Sequence, residues 1–182
     1  MNDLFHKASA AFRSLNILFY GGKNFRYHVN TSHSAYKSHS PLGSSGMQGF
    51  ESAICAGYLA NLTELYLQGS FTSCEGTNDT GLISFMEGVS DHCKQIEVLH
   101  LCNKHLSVPA VKAICKVLNR QINITFNMVN LNETKLGDEG LGAFVRNIDS
   151  SCCFVQLNLL SNSIHASGVS HLVDDVNSGR VT

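Results

Sequence analysis

The chain has 182 residues and a mass of 19.8 kDa, enough for one domain with a substantial core and too little for two large ones. Hydrophobic residues make up 43% and charged residues 15% of it, a balance that excludes an intrinsically disordered chain. Lys plus Arg is 13 against 14 Asp plus Glu, a net charge of -1, so no global positive potential favours nucleic acid or an anionic membrane.

Charge is unevenly placed. Residues 1–50 hold five Lys/Arg and one acid, whereas 51–182 hold eight against thirteen. The opening MNDLFHKASAAFRSLNILFYGG is polar through its first third, and no apolar run approaches the roughly 18 to 20 residues of a membrane helix. Neither a membrane span nor a secretory signal is therefore expected. The stretch 26–45 holds six Ser, three His, one proline and no acid, which reads as a flexible, solvated insertion. Around it, Leu15, Leu18 and Tyr20 fit a short strand, and Gly46, Phe50 and Ile54 fit one helix face, together a degenerate first unit over 1–61.

From residue 62 the chain repeats itself. Three apolar positions spaced 1, 4 and 6 recur as Leu62/Leu65/Leu67, Ile96/Leu99/Leu101, Phe126/Val129/Leu131 and Phe154/Leu157/Leu159, the first interval being the longest and the later two nearly equal. A further apolar residue follows at position 11, as Leu106, Leu136 and Ile164. A series spaced by four then begins on a small residue: Gly81/Phe85/Val89, Ala110/Ile114/Leu118, Gly140/Phe144/Ile148 and Gly168/Leu172/Val176. Positions 4 and 6 share one face of a strand, and an i, i+4, i+8 series makes one stripe of a helix. Each unit is therefore predicted as strand, turn and amphipathic helix, with boundaries 62–95, 96–125, 126–153 and 154–182. Ser107 and Pro109 supply an N-cap and a first-turn proline, and Asp138 and Glu139 place acids at the next helix start.

The run FVQLNLLSNSIHASGVSHLVDDV at 154–176 resembles the leucine-rich repeat LxxLxLxxNxL, and the long period, which leaves room for a full helix, is similar to that of the ribonuclease-inhibitor-like subclass. That resemblance implies an α/β fold: a right-handed leucine-rich repeat solenoid of four to five repeats, with a curved parallel sheet inside and helices outside. The asparagine of position 9, which in the family bonds the neighbouring turn, stands here only as Asn162; Ser70, Lys104 and Thr134 occupy the other units. Looser turns are expected there. Without a polar terminal cap, the ends of such a stack are expected to self-associate end to end.

Catalytic signatures are missing from the sequence. The string Gly21-Gly22-Lys23-Asn24 lacks the upstream glycine and following Ser/Thr of a phosphate loop, and there is no GxSxG, HExxH or paired CxxC. Seven cysteines (55, 74, 93, 102, 115, 152 and 153) form an odd, scattered set that is expected reduced in a cytoplasmic protein, with Cys55 and Cys115 as core fillers. Five Asn-x-Ser/Thr sequences, at Asn30, Asn61, Asn78, Asn123 and Asn132, point the other way. Cys93, His100, Cys102 and His105 are metal-type side chains close together in the chain, but Cys93 precedes the strand that carries His100 and Cys102, so the four are not expected to converge on zinc. No cofactor is expected.

The residues between the apolar positions point away from the helices. They are Glu64, Val98, Met128 and Gln156 at position 3, Tyr66, His100, Asn130 and Asn158 at position 5, and Gln68, Cys102, Asn132 and Leu160 at position 7. In the solenoid that the resemblance implies, these line the concave face. Such a surface has amides and apolar groups but one formal charge; it suits a partner protein, not phosphate, with Tyr66 and His100 as central anchors. The leading expectation is a non-enzymatic protein-interaction module binding through Glu64, Tyr66, Gln68, Val98, His100, Met128, Asn130, Asn132, Gln156 and Asn158. Two alternatives rest on resemblance alone: a regulator of a small GTPase like the Ran GTPase-activating proteins, and a fragment of a larger NOD-like receptor-type sensor.

Overall fold

The computed structural model of the chain describes residues 17–19, 43–67, 79–102, 105–121 and 123–177. Strands and helices alternate along it: β1 (Ile17–Phe19), α1 (Gly43–Cys55), β2 (Glu64–Tyr66), α2 (Thr80–His92), β3 (Val98–His100), α3 (Val108–Asn119), β4 (Thr125–Phe126), β5 (Met128–Asn130), α4 (Gly137–Asn147), β6 (Cys153–Phe154), β7 (Leu157–Asn158) and α5 (Ala166–Asn177). This is a mixed α/β protein with a five-stranded parallel sheet in the order β1-β2-β3-β5-β7, beside which β4 and β6 form a small second pair. Sheet order follows chain order, and each helix packs on the next: α1 on α2, α2 on α3, α3 on α4, α4 on α5.

The register brings like positions side by side. Leu18, Leu65, Leu99, Val129 and Leu157 form one lateral row across all five strands. Leu62, Leu65, Leu67, Ile96, Leu99, Leu101, Phe126, Val129 and Leu131 are all fully buried, each contributing about 1.5–3 kcal/mol by leaving water. The helices close this core with Phe85, Val89, Ile114, Leu118 and Phe144. In the last described unit Phe154, Leu157 and Leu159 are only partly buried, because no further described unit covers them. Phe154 nevertheless stacks on Phe126, with ring centroids 5.6 Å apart.

The start of α3 follows the expected capping chemistry. Ser107 Oγ accepts from the Ala110 N–H at 3.3 Å, with proline in the first turn of α3. Asp138 and Glu139 lie in the first turn of α4, but Asp138 also serves the next unit: its Oδ1 accepts from the His165 N–H at 2.7 Å and its Oδ2 from the Ser167 hydroxyl. The His165 N–H bond and then the Ser167 hydroxyl hold the Asp138 carboxyl below its ordinary range. A Cβ at Gly168 would lie 2.5 Å from Asp138 Oδ1 and 3.1 Å from Asp138 Cα. The small residue at this helix start thus makes room for the start of the preceding helix. Two differences from the sequence expectations concern the N-terminal units. Residues 43–45, read as the end of the flexible insertion, form the first turn of α1, and Cys55, read as a core filler, is exposed at the end of that helix. Leu15, Tyr20 and residues 26–42 lie outside the described residues.

The position-9 turns are held by side-chain amide chemistry. Asn162 is buried. Its Oδ1 accepts from the Thr134 N–H at 2.8 Å, the Thr134 hydroxyl at 2.8 Å and the Leu136 N–H at 3.2 Å, while its Nδ2 donates to the Leu131 carbonyl at 2.6 Å and the Leu159 carbonyl at 2.9 Å. One amide therefore ties two consecutive turns together. Thr134, where a looser turn was expected, is buried and also lies 2.9 Å from the Leu131 carbonyl, so that turn is tight. The residues beside these two positions pass through the left-handed region, with φ of 55° at Glu133, 50° at Lys135, 55° at Ser161 and 54° at Ser163, a conformation that side-chain anchoring must offset. Ser70 and Lys104 lie outside the described residues.

Asn162→Ala leaves two N–H groups and two carbonyls without this partner and is expected to cost about 3 kcal/mol in urea unfolding, against about 1 kcal/mol for Thr134→Val. A smaller loss for Asn162→Ala than for Thr134→Val would show that the amide does not organise the turns.

Candidate functional site: the sheet face opposite the helices

The sheet face opposite the helices divides into a covered part and an open part. In the covered part the Tyr66 hydroxyl donates to Glu64 Oε2 at 2.8 Å, and the Tyr66 ring lies against the His100 ring, centroids 4.9 Å apart. This lateral contact follows from the register, which pairs Tyr66 with His100. His100 continues the row: its Nε2 lies 2.7 Å from Met128 Sδ and its Nδ1 is 3.4 Å from Asn130 Nδ2. Asn130 is oriented by its own backbone neighbourhood, since its Oδ1 accepts from the Asn132 N–H at 3.0 Å. With the amide NH2 turned to Nδ1, that ring nitrogen must accept, and the proton sits on Nε2 facing the methionine sulfur. The imidazole is accordingly neutral, and burial pushes its pKa below the ordinary 6.5.

These contacts correct the expected exposure. Tyr66 is 4% and His100 7% exposed, and Val98 and Cys102 are buried too, so the rings expected as central anchors on an open surface are spent on each other and on the strand side chains beside them. Burial raises the Cys102 thiol to about 11. Glu64 is half-buried and holds the Tyr66 hydroxyl. Gln68 lies outside the described residues.

The open part begins at β5. Met128, Asn130, Asn132 and Asn158 are half-buried and Gln156 is exposed, and Leu160 is 70% exposed. Residues Gln156, Leu157, Asn158, Leu159 and Leu160 line a shallow depression along β7. Asn158 repeats the Asn130 device, its Oδ1 accepting from the Leu160 N–H at 3.1 Å, so both position-5 asparagines spend an acceptor on their own turn. Asn132 Oδ1 is buried without a hydrogen-bond partner. Val155, which sequence reading passed over, is 71% exposed. Its signal was an apolar residue at position 2, where the other units carry Thr63, Glu97 and Asn127. The open strip thus combines directional amides with apolar contact area and carries no formal charge among its named residues.

The considered metal cluster does not come together. Cys93 Sγ donates to the Leu59 carbonyl at 3.3 Å in the core, and His105 is exposed. Among the described residues no group of three His, Cys, Asp or Glu is placed to hold a metal ion, and no described helix is long and apolar enough to cross a membrane. Compared with protein-family models and with curated proteins, the chain matches none.

A neutral His100 binds fewer protons in the folded than in the unfolded chain, so it withdraws stability as pH falls through its unfolded value of 6.5. Thermal unfolding from about pH 7.5 down to about pH 5.5 should therefore destabilise the wild type more than His100→Gln. In the NMR titration, the His100 ring should protonate below 6.5; a midpoint above 6.5 would contradict the assignment of a buried neutral ring.

Proposed function

We infer that the chain is a leucine-rich repeat solenoid of the ribonuclease-inhibitor-like kind and that it acts as a non-catalytic interaction module, holding a partner protein on the sheet face opposite the helices. The supporting features are the long, nearly constant repeat period, the parallel sheet whose order follows the chain, and the amide of Asn162 bridging two turns. The observation that carries the binding reading is the open strip itself. Met128, Asn132, Gln156, Asn158 and Leu160 form an uncharged, partly apolar ribbon on a sheet whose opposite face is filled by core. Leu160 is poorly accommodated by water, and a protein surface that covers it recovers its burial. The amides of Asn132, Gln156 and Asn158 then fix the register of that partner through hydrogen bonds.

On this reading the anchors lie at the β5–β7 end of the face, while Tyr66 and His100 act from beneath, holding Met128 and Asn130 in place. A pair of like charges placed on the strip tests it: Met128→Lys/Gln156→Lys is expected to retain the wild-type circular dichroism spectrum and to weaken the captured partner by at least about tenfold. Partner binding unaltered in the folded double variant would move the site elsewhere.

A further inference from the structure

We propose that the sheet face is gated by a proton: uptake at His100 Nδ1 turns the Asn130 amide over and breaks the turn that presents Asn132. The gate rests on the binding strip proposed for this face, of which Asn132 is one amide. The observation behind it is an amide held at both ends. Asn130 Oδ1 accepts from the Asn132 N–H at 3.0 Å, which fixes the way the amide faces. Its Nδ2 is thereby turned to His100 Nδ1, 3.4 Å away. A neutral ring suits that arrangement, with a lone pair on Nδ1 and a hydrogen on Nε2 facing Met128 Sδ. Asn158 makes the same turn with the Leu160 N–H at 3.1 Å, but the register sets it beside Asn130 and not beside a histidine. The device therefore occurs both with and without a titratable ring against it.

A proton taken from solvent goes to Nδ1, because Nε2 already carries one. The new N–H then faces the Asn130 NH2, donor against donor. Turning the amide over offers Oδ1 to the ring, but it also sets the NH2 against the Asn132 N–H and removes the turn bond. A hydrogen bond from a charged donor is about twice as strong as a neutral one, so the ring takes the amide oxygen and the Asn132 N–H is left out. Asn132, whose own Oδ1 has no hydrogen-bond partner, then loses its tie to the row.

The titratable groups around the ring direct this conflict toward β5. On β2, the Tyr66 ring lies 4.9 Å away between centroids and its hydroxyl donates to Glu64; both favour a charged imidazole. β5 presents Met128 and Asn130, neither of them charged. Just past β3, the Cys102 thiol is pushed up to about 11 by burial and is neutral, with Glu133 from the turn after β5 acting on it. The helices lie behind the sheet. The carboxylate that draws the charge is thus on one side of the ring, and the amide that must yield is on the other. Burial delays proton uptake to below 6.5, so the face is ordered at neutral pH and opens on acidification.

Amide hydrogen exchange by NMR on the full chain, alone in solution, tests the gate between about pH 7.5 and about pH 5. After correction for intrinsic exchange, protection of the Asn132 N–H is expected to fall at least about tenfold, with the midpoint at which the His100 ring titrates. The Leu160 N–H, in the same turn beside Asn158, should keep its protection. His100→Gln, whose side-chain oxygen accepts from Asn130 but takes up no proton, should remove the step. An Asn132 N–H indifferent to ring protonation, a Leu160 N–H that falls in parallel, or a step that survives in His100→Gln would each overturn the gate. Should His100→Gln fail to fold, the wild-type comparison of Asn132 with Leu160 still decides. No partner is used, so the gate and the sheet-face reading, which Met128→Lys/Gln156→Lys tests at one pH, fail separately.

Discussion

No described strand exceeds three residues, and a segment that short cannot hold itself in place, so the whole structure depends on lateral stacking of like positions. The row Leu18, Leu65, Leu99, Val129, Leu157 shows how this is enforced. A slip of one residue would turn every inward leucine to the open face and bring polar residues into the core. Backbone groups that such short strands leave unpaired are taken up by side chains reaching across from a neighbouring unit. Asn162 does this for the turns around Thr134 and Leu159. Gln121 does it in the core, accepting from the Ile96 N–H at 2.8 Å and donating to the Cys93 carbonyl at 3.0 Å. Asn119 does it at the helix ends, donating to the Asn147 carbonyl at 2.8 Å and accepting from the Asp149 N–H at 2.9 Å. Each of these amides joins one unit to its neighbour.

The same lateral logic shapes the opposite face. Because the register places Tyr66, His100 and Asn130 in line, side chains that could meet a partner meet one another first. Glu64, Tyr66, His100, Met128 and Asn130 form a chain of contacts across three strands. That chain ends where the row stops being large: position 5 changes from the rings of Tyr66 and His100 to Asn130 and Asn158, each of which bonds back to its own turn. The transition from covered to open face is therefore a consequence of side-chain size along one row.

Much of the architecture was legible because burial here is periodic. A triplet recurring along the chain specifies strand and core face together; the cap at Ser107 was readable from residue type and position, and the anchoring role of Asn162 was implied by the resemblance to the leucine-rich repeat. What escaped reading depends on neighbours in space. The burial of Tyr66 and His100 is set by ring contact between strands of consecutive units, distant in the chain and adjacent in the sheet. Thr134 holds its turn because Asn162 of the next unit reaches it. The exposure of Cys55 follows from its place at the end of α1, which a thiol among apolar residues did not reveal.

Strand order that follows chain order also determines how the molecule answers force. Tension applied across the sheet, from β1 toward β7, acts along the direction of the interstrand hydrogen bonds, so it loads one junction at a time instead of shearing many bonds together. With nearest-neighbour coupling alone between units, such a sheet yields by peeling, each release lengthening the chain by a single repeat period.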